Sequence, residues 1–133
     1  MLQALVIDFN QRVLKVEPKP TIALQDPDAF RLSLAQMREE LDEMEKAYEQ
    51  GDLIGVIDGL IDLDYFHKGV VYKHGIGVAL YNELFVAVHE ANMEKKLGVN
   101  HNRPGFNGAA DAVKPEGWLP PEDRLRAIIN LQS

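Results

Sequence analysis

The stretch from residue 38 to 67, REELDEMEKAYEQGDLIGVIDGLIDLDYFH, limits what this chain can become more than any other. It holds ten of the 21 acidic residues and one lysine, Lys46, yet its second half is otherwise mostly apolar. Gln50-Gly51 reads as a helix end with glycine at C′, and Asp52 as the N-cap of the next helix. Two long helices joined by so short a turn must run antiparallel, as a helical hairpin.

At 100° per residue, Glu40 and Glu43 share a face of the first helix, and Asp58 and Asp62 share a face of the second. Leu34, Met37, Leu41, Met44 and Tyr48 form the first helix's apolar stripe, with Asp42, Glu45 and Glu49 on the opposite, watery side. On the second helix Leu53, Val56, Leu60, Leu63 and Val70 make one apolar face, while Ile54, Ile61, Tyr65 and Tyr72 surround Asp58 and Asp62. A helix apolar nearly all round is expected to be buried. Ionised carboxylates tolerate burial only when protonated, paired with cations or bound to metal. Basic residues are scarce nearby, so a hard divalent ion is the expected partner, and oxygen-only ligands suit Mg²⁺ or Mn²⁺. The competing reading, a plain solvated acidic face, fits Glu40 and Glu43 better than it fits Asp58 and Asp62, whose neighbours are apolar.

A chain of 133 residues fits one domain over 1–133. No apolar run approaches the ~20 residues of a membrane span, and no basic segment followed by an apolar signal core opens the chain. The absence of cysteine removes disulfides and thiolate metal sites, so a soluble, cytoplasmic protein is expected. A formal charge of −7 argues against nucleic acid as a partner, because backbone affinity comes from clustered lysine and arginine. No membrane partner is expected either.

Leu2, Leu5, Val6, Phe9 and Val13 recur at helical spacing within 1–14. Pro18 and Pro20 then impose an extended connector, and Asp26-Pro27 starts the next helix as N-cap and N1, running to about Gln50. The third helix is expected from Leu53 to Lys73, closed by His74-Gly75, and a fourth from Val78 to Lys96. From Gly98 to Gly117 no periodicity is sustained; a loop of that length suggests a lid or clamp carrying Arg103, Lys114 and several asparagines, or a plain surface loop. Pro120-Pro121-Glu122-Asp123 opens a last short helix. His67, His74, His89 and His101 lack zinc-site spacing. Asp64-x-x-His67 has no second copy to complete a di-iron site, and Trp118 reads as a packing anchor.

Three pieces together resemble the all-α nucleoside triphosphate pyrophosphohydrolases, the superfamily of MazG, phosphoribosyl-ATP pyrophosphohydrolase and dimeric dUTPase. They are Glu39-Glu40-Leu41-Asp42-Glu43, then Asp58-Gly59-Leu60-Ile61-Asp62-Leu63-Asp64-Tyr65, then Val88-His89-Glu90-Ala91-Asn92-Met93-Glu94-Lys95. Lys114-Pro115-Glu116-Gly117-Trp118 and Phe9-Asn10 look like the small MazG-like or MazZ branch of phages and bacteria. The resemblance implies an all-α bundle of four to five helices, assembled as a homodimer or homotetramer. It also implies metal ligands Glu40, Glu43, Asp62 and a preceding acid. Relatives usually carry ExxD on the second helix; here Gly59 stands three residues before Asp62, and the acid is Asp58.

The implied reaction is hydrolysis of a nucleoside triphosphate between the α and β phosphates, with two or three Mg²⁺ ions per site and Mn²⁺ able to substitute. Glu39 or Glu43 would be the general base. Asn92, Lys95 and Lys114 would contact phosphate or sugar; Asn10, Gln11, Asn102 and Arg103 are candidate base readers. The leading substrates are dUTP and dGTP, ahead of phosphoribosyl-ATP. The alternative is a noncatalytic helical module that binds metal or nucleotide.

Overall fold

A computed structural model describes residues 1–100 and 110–132. The described elements are α1 (Leu2–Arg12), α2 (Pro27–Glu49), α3 (Leu53–Lys73), α4 (Val78–Met93), β1 (Lys96–Val99), β2 (Ala110–Val113) and α5 (Glu122–Asn130). They fall into two compact units, residues 1–78 and 79–133.

The first unit is built on the α2–α3 hairpin. The turn forms as its residues dictate: Gly51 has φ +69°, and Asp52 accepts a hydrogen bond from the Gly55 amide at 2.9 Å. Glycine then sets how closely the helices meet. A Cβ on Gly59 would lie 3.1 Å from the Met44 Cβ, so the two helices approach more closely than most side-chain contacts allow. Towards the other end of α3, α1 is tied on by Gln3 Nε2, which donates to the Lys68 carbonyl at 3.1 Å, and by an edge-to-face contact between Phe9 and Tyr65 at 5.4 Å.

The connector between α1 and α2 is extended, as Pro18 and Pro20 require, and is strapped to the end of α3. The amides of Lys19 and Ala23 donate to the carbonyls of Lys73 and His74, and the Tyr72 hydroxyl donates to the Val16 carbonyl at 2.8 Å. Gly75 makes the strap possible. Its φ is +76°, and a Cβ there would stand 2.7 Å from the Lys19 carbonyl oxygen. Asp26 precedes Pro27 as expected, but its carboxylate makes no cap hydrogen bond; it pairs with Lys19 at 2.8 Å.

Two expectations need correction. The first is the buried third helix: α3 buries only Gly59, Gly69, Val71 and Tyr72, while Leu53, Ile54 and Ile61 are 68%, 74% and 58% exposed. Within the first unit α2, α1 and the connector cover only part of α3, so an all-round apolar sequence leaves the rest bare. On α2 likewise, Leu41 and Tyr48 of the expected stripe are exposed, and the small residues Ser33 and Ala47 are buried.

The second is the long structureless loop from 98 to 117, in a chain whose five helices otherwise fit the expected all-α bundle. The described chain is mostly helical, but in the second unit β1 and β2 pair antiparallel, Lys96 with Val113 through Val99 with Ala110. Four-residue strands are too short for alternation to show in a sequence. The fourth helix accordingly stops at Met93, three residues before Lys96, and its last turn tightens as the Glu94 and Lys95 amides donate to Ala91 and Asn92. Trp118 is the anchor its setting suggested: its indole donates to the Ala91 carbonyl at 2.8 Å. Arg124 of α5 pairs with Glu90 of α4 at 3.2 Å.

Candidate functional site

In the first unit, residues 33, 37, 40, 44 and 47 of α2 follow a 4-3 spacing and are all buried or half-buried; residues 55, 59, 62, 66 and 69 do the same on α3. Glu40 and Asp62 therefore occupy helix–helix seam positions that apolar residues would normally take. Glu40 is the most perturbed acid of the chain. Desolvation against the packed helices comes first, then repulsion from Asp62, Glu43, Asp58 and Glu39; together they hold its carboxyl above the ordinary carboxylate range. Four of the expected ligands and the neighbouring Glu39 thus feel one another across α2 and α3.

No hydrogen bond or ion pair among the described residues engages any of these five acids. Asp64, by contrast, is paired with Lys68. The cluster is not dry, however. Glu39, Glu43 and Asp58 are exposed, and only Glu40 and Asp62 are partly covered. Nor do three acidic or histidine side chains among the described residues stand close enough to close on one ion. The donor chemistry fits a hard divalent cation, being all carboxylate oxygen, uncompensated and mutually repelling; the exposed members are free to rotate to their rotamers for ligation.

The departure from ExxD has a packing cause. Position 59 faces Met44 in the seam, where the Cβ of a glutamate would stand 3.1 Å from the Met44 Cβ, so the Met44 side chain would have to give by a few tenths of an ångström. Asp58, one residue round the helix, carries the acid on the open side instead.

One helical turn from Glu40 on α2, and three residues from Asp62 on α3, Gln36 and Tyr65 line a cavity of about 690 Å³. Its walls include Phe9, Asn10, Gln25, Ser33, Phe66 and Lys73. Asn10 is 2% exposed; its Nδ2 donates to the Val6 carbonyl at 2.9 Å, and its Oδ1 has no partner. Gln25 is 6% exposed, and neither its nitrogen nor its oxygen has one. Lys73 has its ammonium pKa lowered by burial and makes no ion pair among the described residues. Gln25, Gln36 and Lys73 were not singled out by the sequence reading. A glutamine in a proline-bounded connector has no periodicity to mark it, although Gln36 lies at i−4 from Glu40. Gln11, the other reader proposed on α1, is exposed.

In the second unit the Lys95 and Lys114 ammonium groups both lie over the Trp118 ring, 5.2 and 5.0 Å from its centroid. The sequence proposed both for phosphate, and the structure brings them to one ring. Asn92 is exposed near the end of α4. Arg103 and Asn102 lie outside the described residues, as do residues 101–109 of the expected lid.

Against known families, the sequence model for phosphoribosyl-ATP pyrophosphohydrolase matches residues 3–92. That range contains the five acids, Asn10, Gln25 and Asn92, while Lys95, Arg103 and Lys114 fall beyond it. No curated protein matches the chain.

Proposed function

Since the chain belongs to the phosphoribosyl-ATP pyrophosphohydrolase family, within the MazG-like superfamily, and is thus a nucleotide pyrophosphohydrolase acting on acid anhydrides, we propose that it cleaves a deoxynucleoside triphosphate between the α and β phosphates. The products would be the monophosphate and pyrophosphate, and the role control of the nucleotide pool in a bacterial or phage-infected cytoplasm. The observation that carries this reading is Glu40, a seam carboxylate whose proton affinity is raised by desolvation first and then by four neighbouring acids, with no cation paired to it among the described residues.

The family is one of divalent-metal-dependent enzymes. Here Glu40, Glu43, Asp58 and Asp62 would hold Mg²⁺, with Mn²⁺ as substitute, two or three ions per site. When bound, the ions supply neutralisation of phosphate charge and acidify water. The chain's own groups do the rest. Glu39 or Glu43 accepts the proton of the attacking water, Asn10 contacts the base, Asn92 hydrogen-bonds phosphate or sugar, and Lys95 and Lys114 meet the charge on pyrophosphate. Residues 1–133 act as one catalytic domain. The bare apolar residues of α3 and of α1, where Leu2 and Leu5 are 54% and 58% exposed, support assembly into a homodimer or homotetramer.

The test is pyrophosphate release, read with inorganic pyrophosphatase and malachite green, over the dNTPs and phosphoribosyl-ATP with Mg²⁺ or Mn²⁺. Hydrolysis of dUTP or dGTP is expected. Turnover of none of them with either metal would overturn the reading.

A further inference from the structure

The α1–connector–α2–α3 cavity presents an inventory of hydrogen-bonding atoms that is more specific than its shape. The Val6 carbonyl can only accept, so the Asn10 amide is fixed with its nitrogen towards Val6 and its oxygen left over. Gln25 leaves one donor and one acceptor, whichever way its amide is turned. The total is two acceptors and one donor. All three atoms are buried without a hydrogen-bond partner in the protein, and buried amides without partners carry a standing penalty. Relief requires a ligand with two N–H hydrogens and one acceptor, reached when the connector bearing Gln25 yields. That connector is held to the end of α3 by the Lys19 and Ala23 backbone bonds, the first of them long at 3.4 Å.

From these atoms the geometry points to a nucleobase pocket that selects a base with an exocyclic amino group, with Gln25 and Asn10 as its specificity-determining residues. Guanine, adenine and cytosine each offer two such hydrogens beside a ring or keto acceptor. Uracil and thymine have a single N–H and would leave one amide oxygen unpaired against a carbonyl. Phe9, Tyr65 and Phe66 supply the apolar wall a flat ring needs, and the volume lies within the range of small-molecule sites. Guanine is the best match: alone among the amino-bearing bases it has a ring N–H beside its amino group, giving hydrogens on adjacent nitrogens for the two amide oxygens, while its keto oxygen can accept from Lys73 on the same wall. The inference rests on the proposed triphosphate reaction for its biological meaning, and it makes dGTP rather than dUTP the substrate.

Free 2′-deoxynucleosides test the pocket without metal or chemistry. Chemical-shift titration of the isotope-labelled full chain in EDTA should give deoxyguanosine, and to a lesser degree deoxyadenosine and deoxycytidine, about tenfold or more tighter binding than deoxyuridine or thymidine, since one unmet buried partner is worth about a decade or more. The shifts should include the Asn10 and Gln25 side-chain amides. Gln25→Leu should erase the preference, and Gln25→Glu, which keeps the polarity but removes the donor, should weaken every amino-bearing base. Equal binding of deoxyuridine, or no nucleoside binding while dNTPs are still hydrolysed, overturns the pocket and leaves the pyrophosphohydrolase. A retained preference with no triphosphate hydrolysed does the reverse.

Discussion

Two places on the first unit leave polar groups without partners, about one helical turn apart, and they do so in opposite ways. At the acidic seam the unmet groups are charged, and most of them stand in water. In the neighbouring cavity they are neutral amides, and they are sealed. The difference follows from the cost of desolvation. An isolated carboxylate cannot be shut away without changing its protonation, whereas an amide can be, at about 1–3 kcal/mol. Charge is therefore kept where an ion can reach it, and neutral reading groups are kept where only a shaped ligand displaces the wall. Proximity of the two demands along α2 and α3 suits a molecule that is charged at one end and flat at the other.

The comparison breaks most visibly at the acids. Glu40→Gln or Asp62→Asn should lower pyrophosphate release by roughly a thousandfold, several kcal/mol of lost charge stabilisation, while circular dichroism shows unchanged helix content. Rates near wild type in either variant would remove that residue from the site. At the amides the expected effect is smaller and inverted. Gln25→Leu should leave the ligand-free protein as stable as wild type or more so, by up to about 1 kcal/mol in urea denaturation, because it deletes two orphaned atoms rather than a contact. A loss of several kcal/mol would mean that Gln25 is structurally satisfied.

The smallest effect separates the two regions by pH. The folded chain holds the Glu40 carboxyl above its ordinary value of 4.5, so in the window just above that value the folded state binds more proton than the unfolded one. Stability from this group is thus lost as pH rises through the window. Millimolar Mg²⁺ should raise the melting temperature above the window and not below it, since a protonated carboxyl does not ligate. Glu40→Gln should flatten the pH dependence, and an identical Mg²⁺ response in that variant would place the ion elsewhere.

How much of this could be read in advance divides by range. The turn at Gly51-Asp52 and the start at Pro27 were legible because caps are local, and so was the bounded α3, Leu53 to Lys73. The four acids were legible as a set because helical spacing fixes their faces. Burial was not. Whether Ile54 and Ile61 are covered depends on what packs against α3, and no periodicity carries that. The hairpin of β1 and β2 was hidden by its shortness, and Gln25 by a connector whose conformation comes from prolines and from backbone bonds to the far end of α3.

The contact at Gly59 couples two positions distant in sequence. A long acid at 59, as in ExxD helices, would set its Cβ 3.1 Å from the Met44 Cβ, an atom every residue but glycine keeps, so it asks either for glycine at 44 or for the two helices to part by a few tenths of an ångström. The spacing of the two helices is thus set in part by what stands at 59.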